Sequence, residues 1–476
     1  MKGLAYQEKE IGIVGCRMIN HHNQILHAGS YIRPDDLWGQ QIGGGQKDIG
    51  QFCENREVES VTFACVYIKR AVLNVIGGLN ERFFSYFEDT DYCLRARMAG
   101  FRIMYCGEVT IVHYQNVSTH INQRSFSKMF LKSQRTFRKL WKKEVEKCYE
   151  RRVVCCSNIK PSSLLGVDLK NKLLGLDENK IDIALCYKEG ESVIFPREGV
   201  LEHRICLMER RKKRKRDILI SYEFYSPCFL KSRKYHICYS LFHISDMNDR
   251  WIEYLRNVDE IWVDSEGNRE FLRKQNIRVP IQVYPFGINR NYFWVEEKEI
   301  RDEIRFLVVL EDVEVEFLKA ICDLAERIFG GRKVVVFVYV RGVVEEYERD
   351  RIKRVFEREK RDLMMGFFFN MREQEQDRAM LYHFVDCLIF YKVGRGGKGL
   401  MLEAAACGLP IIMPERERME ILQEEYFYHS IEELKRCMRN IFYRIKEEKR
   451  EYGKRIREEY SYERIAKQMA ERLKEL

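Results

Sequence analysis

The sequence contains no long apolar run and opens with no apolar leader segment. None of its stretches approaches the roughly 20 consecutive apolar residues that a membrane-spanning helix needs. Internal repeats and low-complexity segments are absent as well. The 16 cysteines are scattered without the paired spacing of a zinc site, so we expect small buried thiols in a reducing compartment. These absences predict a cytoplasmic protein and leave open a peripheral contact with the inner face of the membrane.

Positive charge is in excess, with a formal net charge of +10 at pH 7. Such a balance suits anionic partners, namely nucleotide-sugars, phospholipid headgroups or nucleic acid. The densest basic run covers residues 209–216. It is interpreted as a solvated helix or loop face, or as a docking site for an anionic membrane. A nucleic-acid site is a third interpretation, but no recognition motif accompanies the run, so we expect no nucleic-acid partner.

Short apolar runs alternate with helical patterns in the later part of the chain. This alternation predicts an α/β fold in which crossover helices connect the strands of parallel sheets. Two such series, separated by a charged segment near residues 293–304, indicate two doubly wound lobes. The predicted units are an N-terminal unit at 1–122, a basic connecting helix at 123–152, a first lobe at 153–298, and a second lobe with terminal helices at 299–476.

Three carboxylates follow an aromatic run in the N-terminal unit: Glu88, Asp89 and Asp91 come after Phe83–Phe87. The next residues have a helical pattern, so these acids would lie near a helix N-terminus, with Asp89 or Thr90 as candidate N-caps. Capping of an ordinary helix is therefore one interpretation. Catalysis is the other, because burial against aromatic rings raises the pKa of a carboxylate and makes it a better base for an acceptor hydroxyl.

The motifs from Ile11 to about Ser118 resemble the second half of a family 2 glycosyltransferase domain of the rhamnosyltransferase-like kind, which has a GT-A fold. The resemblance rests, in this order, on segments 11–15, 25–29, 61–70 and 77–100, and on His113. It implies that Asp89 is the catalytic base, with Glu88 beside it and Asp91 as the third acid. It also implies that His113 completes a metal site at the donor diphosphate, although a structural histidine is an equal alternative.

The first half of that family's domain has no counterpart before Ile11. That half would carry the nucleotide-binding strands and an Asp-x-Asp pair that holds Mg²⁺ or Mn²⁺ on the donor diphosphate. Asp35-Asp36 lies too late in the chain and in a proline-containing loop. We therefore expect a divalent cation here only if a partner chain supplies the missing half. Without that partner, the expectation is that the N-terminal unit is inactive or that the start of the chain is misassigned.

A glycine-rich loop runs into a helix between Gly394 and Pro410. Backbone N–H groups and the helix dipole can hold a phosphate at such a position, although an ordinary glycine turn before a helix has the same sequence pattern. Residues 180–475 resemble family 4 glycosyltransferases with a GT-B fold, and this resemblance implies that Glu403 binds the donor ribose and that no metal is needed. The predicted donor-binding residues are Glu403, Arg395, Lys398, Gly396, Gly397 and Gly399.

The second resemblance has two departures. Arg395 stands where that family has a glutamate, and residues 310–314 supply acids where it has an arginine and a lysine. His243 and Asp246, in the first lobe, are the acceptor-side candidates. Together the motifs predict a hexosyltransferase that moves a sugar from a nucleotide-sugar to a glycan or lipid-linked acceptor, with chemistry expected around Glu403. A non-catalytic scaffold that keeps the folds but not the chemistry is the alternative.

Overall fold

The computed structural model describes the protein in seventeen stretches of chain, and all structural statements below concern these residues. They are 1–114, 126–149, 151–157, 163–187, 200–212, 217–222, 235–241, 248–295, 303–311, 314–329, 333–341, 345–350, 364–369, 374–392, 396–415, 426–444 and 449–476.

The N-terminal unit is built on a mixed five-stranded sheet. Its central strand pairs in parallel with the long last strand, and the other strands of this sheet pair antiparallel. The elements in chain order are α1 (Lys2–Ala5), β1 (Ile11–Ile19), β2 (Ile25–His27), β3 (Ser30–Ile32), β4 (Gly39–Gln41), β5 (Arg56–Val58), β6 (Val66–Ile68), α2 (Arg70–Ile76), α3 (Glu88–Met98) and β7 (Arg102–Val112). Strands β3 and β4 form a separate antiparallel pair. The described connecting helix, α4 (Phe126–Lys147), lies inside the predicted range.

The first lobe contains a six-stranded sheet in which every pairing is parallel. Its elements are β8 (Arg151–Ser157), α5 (Leu164–Glu178), β9 (Ile181–Tyr187), α6 (Val200–Arg210), β10 (Ile218–Tyr222), β11 (His236–Ser240), α7 (Asp249–Leu255), β12 (Glu260–Val263), α8 (Glu266–Lys274) and β13 (Ile281–Val283). Because helices cover both faces, β10 and β11 are buried at every position. This double burial explains why the strands are continuous apolar runs in the sequence.

The second lobe repeats this plan with another six-stranded parallel sheet. Its elements are β14 (Glu303–Leu310), α9 (Val315–Phe329), β15 (Lys333–Val340), β16 (Met364–Phe369), α10 (Glu375–Phe384), β17 (Cys387–Phe390), α11 (Gly397–Ala406), β18 (Ile411–Pro414), β19 (Phe427–Tyr428), α12 (Ile431–Arg444), α13 (Lys449–Glu459) and α14 (Tyr462–Glu475). One hydrophobic core extends through both lobes.

The final helix differs from its predicted place in the second lobe. Helix α14 packs against α5 of the first lobe, where a Cβ atom on Gly175 would lie 2.5 Å from the Cβ atom of Ala466. The Tyr462 hydroxyl also donates a hydrogen bond to Asp168, at 3.1 Å. The chain therefore crosses back at its end and joins the two lobes a second time.

A disulfide joins Cys156 to Cys186, which are direct neighbours on the parallel strands β8 and β9. The expectation that all the cysteines are separate thiols is therefore wrong for this pair. The two residues are 30 positions apart in the sequence, so spacing alone does not reveal the bond. No described helix combines the length and the apolar character needed to cross a membrane.

Candidate active site

Helix α3 begins at Glu88, directly after two residues with a strained backbone. Tyr86 and Phe87 have φ angles of 68° and 69°, in the left-handed region that side chains with a Cβ atom rarely adopt. Phe87 occupies the N-cap position without a side-chain hydrogen bond, so the prediction of Asp89 or Thr90 as N-cap is wrong. Strain of this kind tends to occur at sites where function requires a fixed geometry. Here it determines how α3 presents its first acids.

Glu88 and Asp89 line an open cavity of about 1040 Å³, which we call the carboxylate cavity. Its walls also include Trp38, His113 and Phe130. Asp89 Oδ1 accepts hydrogen bonds from the backbone N–H and the hydroxyl of its neighbour Thr90, at 2.7 and 3.2 Å. The Thr90 hydroxyl and backbone thus hold the Asp89 carboxylate in a fixed orientation at the cavity wall.

Burial raises the pKa of the Asp89 carboxyl above its ordinary value, and hydrogen bonds from Thr90 only partly oppose this effect. The pKa of Glu88 is also raised, first by burial and further by the nearby charge of Asp89. The Oε2 atom of Glu88 is buried and accepts no hydrogen bond from the described part of the protein. A raised pKa and an unsatisfied acceptor are properties of a carboxylate that can receive a proton from a bound hydroxyl.

His113 lies just after β7 and lines the same cavity as the two acids. Its backbone N–H donates to the Ile19 carbonyl at 2.8 Å, which extends the pairing of β1 with β7. Within the described residues, no three side chains of His, Cys, Asp or Glu converge closely enough to hold a metal ion. The described residues thus do not by themselves assemble a divalent-cation site around His113.

Asp91 points away from the carboxylate cavity and is buried. Its Oδ1 atom accepts a hydrogen bond from Trp141 Nε1 at 2.8 Å, and its Oδ2 atom pairs with Arg95 Nε at 2.9 Å. Trp141 belongs to α4, so this carboxylate joins the connecting helix to α3. Both oxygens are already engaged, which favours a structural role for Asp91 over the catalytic role predicted from the sequence.

Replacing Trp141 with phenylalanine is expected to lower the free energy of unfolding by about 1.5–3 kcal/mol, because a buried hydrogen bond to a charged group is lost. Equilibrium urea unfolding provides the measurement. Trp38→Phe is the matched control, since the indole of Trp38 is 48% exposed. If both substitutions lowered the free energy of unfolding equally, the hydrogen bond from Trp141 to Asp91 would not stabilise the contact between α4 and α3.

The predicted phosphate loop of the second lobe packs directly against the first lobe. Gly396 has a φ of 79°, and a Cβ atom there would lie 2.9 Å from the Cβ atom of Leu164. A Cβ atom on Gly399 would lie 3.5 Å from the ring of Phe286. Lys398 donates to Asp264 of the first lobe at 3.1 Å. Gly396 therefore allows the lobes to approach closely, whereas a Cβ atom at Gly399 would make only an ordinary contact, and Gly397 begins α11 beside them.

Glu403 is buried in the second lobe and already has a cationic partner. Arg378 of α10 binds both of its carboxylate oxygens, at 2.7 and 2.5 Å, and Tyr382 donates to it at 3.5 Å. Arg378 is itself buried, with 1% of its surface exposed. A donor ribose would have to compete with this bidentate ion pair, so the geometry weakens the predicted role of Glu403.

Other predicted residues lie outside the described residues: Arg395, His243, Asp246 and positions 213–216 of the basic run. Residues 209–212 of that run are described. The side chain of Arg211 is 7% exposed and forms an ion pair with Asp35 of the N-terminal unit, whereas Arg210 and Lys212 are exposed. The Arg211 guanidinium thus joins two parts of the chain and does not face the solvent.

Sequence reasoning missed Arg378 and Asp264, the partners of Glu403 and Lys398. Arg378 lies outside the motifs identified in the sequence, and each of the two residues becomes a partner only through the packing of separate elements. The left-handed conformations of Tyr86 and Phe87 were also missed, since aromatic residues give no signal for a positive φ.

The chain resembles known proteins in part of its sequence and in its fold. No protein-family model matches the chain. It is 28% identical over 117 residues to the O-antigen biosynthesis protein RfbC of Myxococcus xanthus, which covers 24% of this chain and 9% of that protein. It is 33% identical over 112 residues to the low-salt glycan biosynthesis hexosyltransferase Agl10 of Haloferax volcanii, which covers 24% of this chain and 36% of that protein. The chain thus spans about a third or less of the length of these relatives.

Among solved structures, sucrose-phosphate synthase from Thermosynechococcus elongatus has a similar fold. The TM-score is 0.51 at 12% sequence identity, and the match covers 68% of this chain and 99% of that one. The predicted α/β fold with doubly wound parallel sheets is therefore confirmed, and its architecture is GT-B-like. The resemblance of the chain to glycosyltransferases is confirmed as well.

Proposed function

We propose that this chain takes part in the transfer of a sugar from a nucleotide-sugar to a glycan or lipid-linked acceptor, with Asp89 as the base. The observation that carries the proposal is the pair Glu88 and Asp89 in the carboxylate cavity. Both have a raised pKa, and both follow a strained backbone turn. The curated relatives match over 117 and 112 residues, and one of them is named a hexosyltransferase, which supports sugar transfer as the chemistry.

In the proposed step, Asp89 takes the proton of the acceptor hydroxyl as that oxygen bonds to the anomeric carbon of the donor sugar. The bond from that carbon to the nucleotide diphosphate breaks, and the diphosphate leaves with the electron pair. Thr90 keeps the Asp89 carboxylate oriented by its two hydrogen bonds. We propose that a partner chain provides the donor half of the site, including any Mg²⁺ or Mn²⁺ ligands, since the family 2 resemblance of this chain covers only the second half of that domain.

The test is nucleotide release from UDP-, GDP- and dTDP-sugars in the presence of membrane-lipid or glycan acceptors. The chain is assayed alone and after co-expression with the product of the reading frame upstream of residue 1. We expect release that depends on the acceptor and increases with the second protein. If correctly folded protein produced no turnover with any donor under either condition, the proposal would be rejected.

A non-catalytic scaffold is the second candidate, and it applies to the two lobes. The ion pairs of Glu403 with Arg378 and of Lys398 with Asp264 favour it, because the predicted donor-binding groups already have protein partners. Titration calorimetry with UDP, GDP and dTDP on Lys398→Met and Glu403→Ala separates the candidates. Unchanged nucleotide affinity in both variants supports the scaffold, while weaker binding in both places the donor between the lobes.

A further inference from the structure

The connecting helix α4 carries a strongly basic face. It contains eight lysines and arginines and two acids, and both acids lie in its last four residues. These acids are paired within the helix, Glu146 with Lys142 and Glu144 with Lys147. The first 18 residues of α4 therefore contain cations and no anion.

Three cations of this basic face follow one another at helical spacing: Lys132, Arg135 and Lys139. All three side chains are exposed, and none of them forms an ion pair within the part of the chain that the structure describes. The opposite face of α4 is buried through Phe137, Trp141 and other apolar residues. The helix thus turns a dense row of positive charge to the solvent.

The same helix forms part of the wall of the carboxylate cavity. Phe130 lines that cavity and packs against Trp38 and Phe87, with ring centroids 5.1 Å apart in both pairs. Beside it, Leu131 is 49% exposed, and the cavity residues Trp38 and Tyr114 are 48% and 68% exposed. Phe130 thus lies on the buried face of α4, opposite the basic face, and the exposed Trp38 and Tyr114 add aromatic rings with polar groups to the cavity wall.

We propose that α4 docks on an anionic membrane surface through Lys132, Arg135 and Lys139, which brings the carboxylate cavity near lipid-linked acceptors. Lysine and arginine rows on an amphipathic helix bind anionic headgroups. This surface differs from the basic run at 209–216, where Arg211 is buried against Asp35. The docking stands on the charge of α4 alone, whereas the lipid-linked acceptor rests on the proposed function.

Co-sedimentation with vesicles tests the docking. The full chain is mixed with vesicles of phosphatidylcholine alone, or of equal parts phosphatidylcholine and phosphatidylglycerol. We expect binding to the mixed vesicles only, with release at high salt. The triple variant Lys132→Glu, Arg135→Glu and Lys139→Glu should bind them at least about 100-fold more weakly, because several charge contacts are lost.

The matched control changes three exposed cations on α14 by the same charge: Arg464→Glu, Lys467→Glu and Lys474→Glu. This control should retain binding, and circular dichroism verifies that both triples fold. Three outcomes would each overturn the proposal. They are an equal loss of vesicle binding in the two triple variants, vesicle binding without a preference for phosphatidylglycerol, and binding to DNA but not to vesicles. Transfer to a water-soluble acceptor should survive the α4 triple, so a failure of the proposed chemistry and a failure of docking remain distinguishable.

Discussion

Asp89→Asn is expected to reduce acceptor-dependent sugar transfer by about 100- to 10,000-fold, the range that a general base contributes. Asparagine keeps nearly the same shape, and its carbonyl oxygen can still accept the hydrogen bonds that Thr90 donates to Asp89. It cannot take a proton from the acceptor hydroxyl. The measurement is the rate of nucleotide release with the donor and acceptor identified in the assay with UDP-, GDP- and dTDP-sugars.

The pH profile provides an independent readout for Asp89. Burial raises the pKa of this carboxyl above its ordinary value of 3.8, so the fraction in the base form grows only at higher pH than for an exposed aspartate. In the wild type, we therefore expect kcat/KM to fall on the acidic side at a higher pH than it would if the base were an exposed aspartate. The residual activity of Asp89→Asn should lack that limb.

Asp249→Asn is the matched control for this experiment. Asp249 is an exposed acid in the first turn of α7, as Asp89 is an acid in the first turn of α3. It should retain wild-type activity. If Asp89→Asn kept its activity while Lys398→Met abolished it, the chemistry would belong between the two lobes, as the sequence motifs around Glu403 suggested.

The fold was predictable because its strongest signals are local. Apolar runs such as Phe306–Leu310 of β14 are buried at every position, so they are continuous in the sequence, and the turns between such runs are polar or glycine-rich. The segment from Gly77 to His113 was recognisable for the same reason, because its motifs follow one another within a short stretch of sequence. The structure brings Glu88, Asp89 and His113 of that segment to one cavity.

The states of individual site residues were not predictable, because they depend on contacts between distant segments. Glu403 resembles a ribose ligand in its motif, but Arg378 reaches it from another helix. Asp91 resembles the acids beside it, but Trp141 comes from 50 residues away to bind it. A motif specifies the residue types of a site. Only the packing of the whole chain determines which of those side chains can still bind a ligand and which already pair with other protein groups.

The N-terminal unit and the first lobe meet at a buried cluster of charges around Asp177, at the end of α5. Arg33 of the N-terminal unit and Arg204 of α6 contact its Oδ2 atom at 2.5 and 3.0 Å. Arg211 lies 3.7 Å from its other oxygen. Arg33 and Asp177 are each 1% exposed. Three guanidinium groups thus share one buried carboxylate, and they hold the cavity-bearing unit on the first lobe.

Asp177→Asn is expected to destabilise the protein by about 3–5 kcal/mol, because it leaves buried guanidinium groups without a counter-charge. Urea unfolding at neutral pH provides the measurement. The pKa of Asp177 is lowered below its ordinary value of 3.8 by the charges of Arg33, Arg204 and Arg211, which outweigh burial. The stabilisation is therefore fully present above pH 3.8 and is lost as the pH falls through the folded pKa. The difference in the free energy of unfolding between the wild type and Asp177→Asn should become smaller as the pH falls through that range.

Glu253→Gln provides the control for this comparison. Glu253 pairs with Arg256 at 3.6 Å on the surface of α7, where both side chains are about half exposed or more. Water already screens that pair, so its removal should cost less than about 1 kcal/mol. A cost for Asp177→Asn as small as that for Glu253→Gln would mean that the buried guanidinium groups find other partners or water. In that case the attachment of the N-terminal unit would depend on its apolar contacts instead of this cluster.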